Sequence, residues 1–282
     1  MARFLHAGVW MRQEAAASVE APMSEDGIER DGFKVGDHVI VTGGGGGFGR
    51  AFAKRFARMG ARVSIWEIDP VTGPQTHAEV LAAGGEAQLF QVDLADAQAI
   101  AATARSSSLA YGTPYCIVNN ASIFPRASLL DMTIDTFDTT LKVNLTAPFQ
   151  IIQAFGPQMI ERGRGVILNV ASGRALEGAV NGASYACSKA AILSLTKTVA
   201  LEWARHNIRC NCIIPGVSLT AQPVAVTSEE ELLERGRTRI PLGRVGYPED
   251  VAGLAAWLVS SDAAYMTGQG VAMNGGAVLV PQ

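Results

Sequence analysis

The chain has 282 residues, of which 48% are hydrophobic and 17% charged, and its formal net charge at pH 7 is −3. This length and apolar content suffice for one large domain with a buried core. The small negative charge gives no electrostatic basis for binding nucleic acid or an anionic membrane, and no apolar run reaches the roughly 20 residues of a bilayer span. We therefore expect a soluble, cytoplasmic protein that acts on a small molecule.

The cysteines give no sign of a disulfide framework. Cys116, Cys187, Cys210 and Cys212 are too few and too irregularly spaced for one, and Cys210 and Cys212 share one face of a predicted strand. No histidine or further cysteine stands at a metal-ligand spacing. We predict free thiols in a reducing compartment and no metal site.

The first segment, residues 1–35, mixes basic and acidic side chains and lacks the long apolar core of a secretory signal. We predict a disordered extension here, although the basic, acid-free start is also compatible with organelle targeting. Residues 36–282 are predicted to form a single domain.

In that domain, short apolar runs alternate with segments of helical spacing. The predicted strands are residues 37–42, 62–67, 87–91, 115–119, 166–170, 208–214 and 270–273, and the predicted helices are residues 48–59, 76–83, 95–111, 134–162, 183–205 and 248–260. This alternation predicts an α/β fold with a doubly wound parallel sheet of about seven strands and helices on both faces. Residues 217–240 have no simple period and are predicted to form a lid that contains a short helix.

Six residues lie at the carboxyl ends of the predicted strands or just after them. They are Thr42, Glu67, Asp93, Asn119, Ser172 and Pro215. Because ligands of such sheets bind at the carboxyl ends of the strands, we expect the functional site at this edge.

A glycine-rich turn follows the first strand, with the sequence Thr42-Gly43-Gly44-Gly45-Gly46-Gly47-Phe48-Gly49 and the spacing TGxxxGxG. Such a turn lets the backbone pass close to a pyrophosphate, which the positive end of the next helix also attracts. Glu67 follows about 20 residues later, where a carboxylate accepts hydrogen bonds from the adenosine ribose and repels a 2′-phosphate. The pattern predicts NAD rather than NADP. The alternatives are a merely flexible turn and a solvated Glu67.

A tyrosine and a lysine lie one turn apart in the predicted helix 183–205. They are Tyr185 and Lys189, and their side chains share a face of the helix. A neighbouring ammonium lowers the pKa of a phenol from about 10 towards the working pH, because it favours the phenolate. Tyr185 is therefore a candidate general acid/base, and Ser172 can present its hydroxyl to the same substrate oxygen. By spacing alone, a chance Tyr–Lys pair is an equal alternative.

Together, the glycine pattern, Ser172, Tyr185 and Lys189 resemble the signature of the short-chain dehydrogenase/reductase family, over about Gly36 to Gly276. The resemblance implies a Rossmann-type fold and a homotetrameric, NAD-dependent alcohol dehydrogenase or ketone reductase. It also implies that Asn144 is a fourth catalytic residue, holding a water that links Lys189 to solvent. An asparagine that only caps a helix kink is the alternative.

The resemblance implies a set of cofactor contacts as well. Lys189 would bond the nicotinamide ribose, and Glu67 and Tyr185 are also among these contacts. The others are Thr42, Gly43, Gly47, Phe48, Gly49, Asp93, Leu94, Asn120, Ala121, Pro215, Gly216, Val217 and Thr220. Ser122 departs from the glycine that is usual in the family at its position.

The substrate pocket is predicted around Asn181, the lid, and residues Ile123, Phe124, Arg126, Arg174 and Leu219. Arg126 and Arg174 are either contacts for an anionic substrate or surface charges. A 3-oxoacyl-thioester reductase is an alternative function, which Glu67 disfavours because most such enzymes prefer NADPH. An inactive NAD(H)-binding sensor or scaffold is another, which the presence of all four catalytic-type residues disfavours.

Overall fold

The computed structural model describes residues 32–220 and 227–277 of the chain. Seven strands form one parallel sheet in the order β3-β2-β1-β4-β5-β6-β7. They are β1 His38–Thr42, β2 Arg62–Glu67, β3 Glu86–Gln91, β4 Cys116–Asn119, β5 Gly165–Val170, β6 Ile208–Pro215 and β7 Gly270–Met273. The doubly wound parallel sheet is therefore confirmed, with the strand order reversing between β1 and β4, where such folds bind ligands.

Helices lie on both faces of the sheet. Those in the described ranges are α1 Gly47–Arg58, α2 Thr72–Ala82, α3 Ala97–Tyr111, α4 Ile134–Leu141, α5 Ala147–Arg162, α6 Arg174–Glu177, α7 Ala183–Trp203, α8 Glu229–Arg239 and α9 Pro248–Val259. All predicted helices are present, and only the short α6 is additional. None of the helices in these ranges combines the length and the hydrophobicity that a membrane span needs.

The central strands are buried on both faces, which explains their continuous apolar runs. Every residue of β1, β5 and β6 is buried. Alternate side chains enter two cores: Val39 and Val41 pack with Phe52 of α1, whereas Ile40 packs with Phe155 of α5. The sheet is thus a rigid platform whose carboxyl edge carries the loops.

Helix α2 begins at Thr72, earlier than the predicted Thr76. The reason is a side chain outside the helix: Asp69 Oδ1 accepts hydrogen bonds from the N–H groups of Val71 and Thr72, at 2.8 and 2.9 Å. Such bonds satisfy backbone donors that a first helical turn leaves unpaired. Apolar spacing alone does not register them.

The predicted single helix 134–162 contains a break in its hydrogen-bond pattern. A π-helical segment, Lys142–Thr146, joins α4 to α5, and the N–H of Ala147 donates to the carbonyl of Lys142. This wider turn carries Asn144, which is 1% exposed. Single π turns inside α-helices are frequent at functional sites.

The start of the packed region lies earlier than residue 36. The N–H of Phe33 donates to the Val259 carbonyl at 3.1 Å, and its ring meets that of Tyr115 edge-on. Residues 32–35 therefore contact the domain, which apolar periodicity in the sequence does not indicate because Phe33 is an isolated aromatic side chain. Residues 1–31 of the predicted extension lie outside the described residues, as do residues 221–226 of the predicted lid.

Candidate active site

The glycine turn is tightly folded between β1 and α1. Gly43 and Gly47 have positive φ values of 61° and 49°, which favour glycine. Gly49 packs so closely on the turn that an added Cβ would lie 1.9 Å from the Gly43 carbonyl oxygen. The first turn of α1 contains no acidic residue. Its unpaired N–H groups and positive dipole end can therefore receive an anionic group.

Thr42 and Asn120 tie this turn to the loop after β4. Thr42 Oγ1 accepts hydrogen bonds from the N–H groups of Asn120 and Ala121, at 3.0 and 3.1 Å. The Asn120 amide donates to the carbonyls of Thr42 and Gly43, at 2.9 and 3.2 Å. The side chains of these two predicted cofactor contacts thus act on the shape of the turn.

Glu67 ends β2 beside the glycine turn. Its Oε2 accepts a hydrogen bond from the Gly45 N–H at 2.8 Å, and its Oε1 accepts from the N–H groups of Ile68 and Asp69. No lysine or arginine of the described chain forms an ion pair with it. Nearby Arg50 instead donates to the Gly45 carbonyl and pairs with Glu79 at 3.3 Å. A carboxylate with no cationic partner among the described residues therefore lies at the place predicted to face the adenosine ribose.

Asp93 and Leu94 follow β3, the neighbour of β2 in the sheet. Asp93 is exposed and its Oδ1 accepts from the Ala95 N–H at 2.8 Å, whereas Leu94 is buried. Both lie at the edge predicted to hold the adenine.

The fold brings Ser172, Tyr185 and Lys189 together. Ser172 follows β5, while Tyr185 and Lys189 lie on α7 and are 6% and 2% exposed. Ser172 is near enough to Tyr185 to lower the pKa of its phenol, and the Ser172 Oγ accepts a hydrogen bond from the Arg174 N–H at 3.2 Å. Lys189 Nζ lies 5.6 Å from the centroid of the Tyr185 ring and donates to the Val170 carbonyl at 2.8 Å.

The pKa of Tyr185 differs from the sequence-based expectation. Burial raises it above its usual value, while hydrogen bonding with Ser172 and the charge of Arg174 act in the opposite direction. The lowering of the Tyr185 pKa that was expected beside Lys189 is therefore wrong for the protein groups by themselves. Desolvation of the phenolate outweighs the groups that favour it. Burial also lowers the pKa of Lys189 to about 8.

Asn144 connects the π-helical segment to two other parts of the site. Its Oδ1 accepts from the Ile123 N–H at 2.8 Å, and its Nδ2 donates to the Ile123 carbonyl and to Ser188 Oγ, both at 3.0 Å. Ser188 Oγ in turn donates to the Tyr185 carbonyl at 2.7 Å. Both amide hydrogens of Asn144 thus bond within the protein, and the water link to Lys189 stays a prediction.

Phe124 stacks on Tyr185, with ring centroids 4.1 Å apart and an interplanar angle of 14°. The guanidinium of Arg126 lies 4.8 Å from the centroid of the Phe124 ring. Both residues were expected in the pocket, but no motif in the sequence indicates that one ring covers the other. The sequence signal that could have indicated this stacking is an aromatic residue shortly after β4.

A cleft of about 670 Å³ opens beside Ser172 and Tyr185. Its lining includes the predicted residues Phe48, Phe124, Arg126, Arg174, Pro215, Gly216, Val217 and Thr220, together with Leu232, Arg235 and Arg239 of α8. Ile123, Asn181 and Leu219, also predicted for the pocket, are not among the described lining residues. The Asn181 carbonyl instead accepts from the Ala127 N–H, which ties the loop that carries Phe124 to the segment just before α7.

The cysteines do not belong to the group formed by Ser172, Tyr185 and Lys189. Cys116, Cys210 and Cys212 are buried and Cys187 is exposed, all as free thiols. Within the described residues, no three histidine, cysteine, aspartate or glutamate side chains are grouped to hold a metal ion.

The chain is similar to known oxidoreductases over most of its length. A family model described as enoyl-(acyl carrier protein) reductase matches residues 44–278. A (3R)-3-hydroxyacyl-CoA dehydrogenase from Canis lupus familiaris is 35% identical over 246 residues, which cover 84% of this chain and 94% of the relative.

Solved structures give the same result. A protein described as a short chain dehydrogenase/reductase family protein superimposes with a TM-score of 0.79 at 30% identity, covering 87% of this chain and 99% of the other. A 7α-hydroxysteroid dehydrogenase in complex with NADH and 7-oxo glycochenodeoxycholic acid has a TM-score of 0.82 at 32% identity, with 86% and 94% covered.

Proposed function

The chain belongs to the short-chain dehydrogenase/reductase family and is an oxidoreductase that transfers hydride between an alcohol or ketone and NAD(P), and from this premise we propose that it uses NAD and acts on a secondary alcohol or its ketone. Tyr185 is the general acid/base of this proposal. Ser172, Lys189 and Asn144 complete the catalytic group. The homotetramer, the cytoplasmic location and the division at residue 36 stay predictions.

The preference for NAD rests on the charge at the end of β2. Glu67 is held by the N–H groups of Gly45, Ile68 and Asp69, and no described cation neutralises it. Such a carboxylate accepts hydrogen bonds from ribose hydroxyls and repels a 2′-phosphate. Gly46 and Ile68 occupy the positions at which NADP-dependent relatives commonly carry a basic residue. Arg50, the nearest candidate, is engaged by the Gly45 carbonyl and by Glu79.

The residues fit a dinucleotide along the carboxyl edge of the sheet. The turn from Gly43 to Gly49 and the N-terminus of α1 would hold the pyrophosphate, Glu67 the adenosine ribose, and Lys189 the nicotinamide ribose. Thr220 lies next to the turn, because a Cβ added at Gly47 would lie 3.3 Å from it. When bound, NAD supplies the acceptor for a hydride from the substrate carbon.

The protein groups handle the proton. Ser172 orients the substrate oxygen by hydrogen bonding, and Tyr185 takes the hydroxyl proton in oxidation or returns it in reduction. Burial favours the neutral phenol of Tyr185, whereas Ser172 and the charge of Arg174 favour the phenolate. Asn144 and Ser188 fix the start of α7 and thereby the place of the phenol.

The convergence of Ser172, Tyr185 and Lys189 beside the glycine turn is the observation that carries this proposal. The test is a panel of secondary alcohols and ketones, each with NAD and with NADP, followed by the absorbance of reduced nicotinamide. Tyr185→Phe should lower turnover by about 100-fold or more, the usual contribution of a general acid/base. NADH affinity, measured by fluorescence titration, should change little. Retained turnover in this variant would remove Tyr185 from its role.

A further inference from the structure

The cleft beside Tyr185 carries an excess of positive charge. Four arginines line it, and Glu177 is the one acidic residue among the described lining. The chain as a whole has a formal net charge of −3, so this excess is local. Low-dielectric walls strengthen the field of such a cluster on a ligand inside it.

The four arginines come from separate parts of the chain. Arg126 lies in the loop after β4, Arg174 begins α6 after β5, and Arg235 and Arg239 stand one turn apart on α8. Three segments thus contribute arginines to the lining of one cavity, which Ser172 and Tyr185 also line. Arg174 is near enough to Tyr185 for its charge to act on that phenol.

The charges of these arginines are poorly compensated. Arg174 approaches Glu177 only to 3.8 Å, between side chains that are 42% and 34% exposed, and such a pair contributes little. Arg126, Arg235 and Arg239 have no carboxylate partner among the described residues. On the same helix α8, Arg237 differs: it pairs with Glu234 at 2.7 Å and does not line the cleft.

We propose that the substrate carries an oxyanion group, a carboxylate or a phosphate ester, which Arg174 and Arg126 hold while the reacting hydroxyl lies between Ser172 and Tyr185. Guanidinium groups match such oxyanions through paired hydrogen bonds. A volume of about 670 Å³ leaves room for the reacting carbon, the anionic end and the nicotinamide side of the cofactor. The inference rests on the proposed function, because it assigns the substrate class of that same site.

Arginines near a dinucleotide can also serve the cofactor phosphates, and the variants separate the two roles. Arg174→Gln and Arg126→Gln remove one guanidinium each, and Arg237→Gln on α8 is the control. NADH affinity is measured by fluorescence titration for each protein. An arginine that binds substrate leaves NADH affinity within about twofold, whereas loss of a charged hydrogen bond to the cofactor weakens it by about tenfold or more.

The substrate class is tested with matched pairs: lactate against methyl lactate, β-hydroxybutanoate against its methyl ester, and glycerol phosphate against glycerol. In the wild type, kcat/KM should be at least about tenfold higher for the charged member of a pair, the factor given by about 1.4 kcal/mol. Arg174→Gln should remove this preference by raising KM for the charged member alone, whereas loss of its charge near Tyr185 should change kcat equally for both members. Arg237→Gln should retain the preference. The carboxylate and phosphate pairs show which oxyanion is favoured.

Each outcome decides between this inference and the proposed function. Equal use of charged and neutral members, an undiminished preference in Arg174→Gln, or a matching loss of NADH affinity overturns the inference and leaves the oxidoreductase standing. If no pair reacts, calorimetric titration of lactate, β-hydroxybutanoate and glycerol phosphate into the NADH complex replaces kinetics. Binding that is lost in Arg174→Gln then supports the anion site without the proposed reaction, and no binding overturns the inference.

Discussion

The two halves of the active edge are built differently. In the half proposed to bind the cofactor, between β1 and β3, the available groups are largely backbone atoms of one short turn and side chains that hold it, such as Thr42 and Glu67. In the substrate half, side chains meet from distant segments: Phe124 stacks on Tyr185, and Arg126 and Arg174 reach the same cleft as α8. The first half depends on backbone geometry, and the second on the packing of separate segments of the chain.

This difference explains how each half responds to change. At Gly49 the turn tolerates almost no added volume, because the nearest atoms belong to the Gly43 carbonyl and the Asn120 amide. Side chains from separate loops can be replaced one at a time with graded effects. Substitutions in the cofactor half should therefore act on cofactor binding and folding together, and those in the substrate half on turnover and selectivity.

The largest expected effect is at Gly49. In Gly49→Ala the new Cβ would lie 1.9 Å from the Gly43 carbonyl oxygen and 2.8 Å from Asn120 Nδ2, so the turn must shift. We expect NADH affinity to fall by about tenfold or more and the free energy of unfolding by about 1–3 kcal/mol, the cost of overpacking. Fluorescence titration and urea unfolding measure the two quantities.

Gly253→Ala is the matched control. Gly253 lies inside α9, and nothing stands within 4 Å of the Cβ it would gain. Alanine there should raise the free energy of unfolding by about 1 kcal/mol, the difference in helix propensity. Equal behaviour of the two variants would contradict the claim that the turn has no spare volume at Gly49.

The same difference between the halves separates what the sequence predicts from what it does not. The sequence predicts the glycine turn, Glu67 and the pair Tyr185–Lys189, because their spacing along the chain determines which groups lie close together in the fold. The strands are readable because parallel central strands are continuous apolar runs. The stacking of Phe124 on Tyr185 depends on which loops meet, and the raised pKa of Tyr185 depends on how deeply the phenol is buried. Neither property has a local pattern.

The next effect in size concerns Asn144, which joins the loop after β4 to α7. Asn144→Ala leaves the Ile123 N–H without its acceptor and removes the bond to Ser188. The free energy of unfolding should fall by about 1–3 kcal/mol, the cost of leaving a buried polar group unpaired. Turnover should also fall by about tenfold, because Ser188 bonds the Tyr185 carbonyl and a displaced acid/base transfers protons poorly.

Asn211→Ala distinguishes a site effect from a general loss of stability. Asn211 is also buried and also bonds backbone groups, those of Met266 and Gln269, but between β6 and the chain before β7. Asn211→Ala should lower the free energy of unfolding by a similar amount. Its kcat should stay within about twofold of the wild type at a temperature where both variants are folded. A matching fall in kcat would show that Asn144 has no specific link to Tyr185.

A smaller and more selective effect is expected at Glu67. Glu67→Ala removes the carboxylate that would bond the ribose and repel a 2′-phosphate. The ratio of kcat/KM for NAD to that for NADP should fall by about tenfold, as expected from a hydrogen bond to a charged group. Glu86→Ala, at the exposed amino end of β3, should leave the ratio unchanged. An unaltered ratio in Glu67→Ala would disprove the selective role of this carboxylate.

The smallest expected effect is at Phe124, and its sign follows from the cause of the Tyr185 pKa. Burial raises that pKa, and the stacked ring of Phe124 covers the phenol at a centroid distance of 4.1 Å. In Phe124→Ala, water replaces the ring, the phenolate is better solvated, and the pKa of Tyr185 falls towards its usual value. Alcohol oxidation needs the deprotonated base, so the acid limb of the pH profile of kcat/KM should move to lower pH. Phe124→Tyr, which keeps the aromatic face, should leave that limb in place, and a limb that moves to higher pH in Phe124→Ala would show that Phe124 favours the phenolate instead.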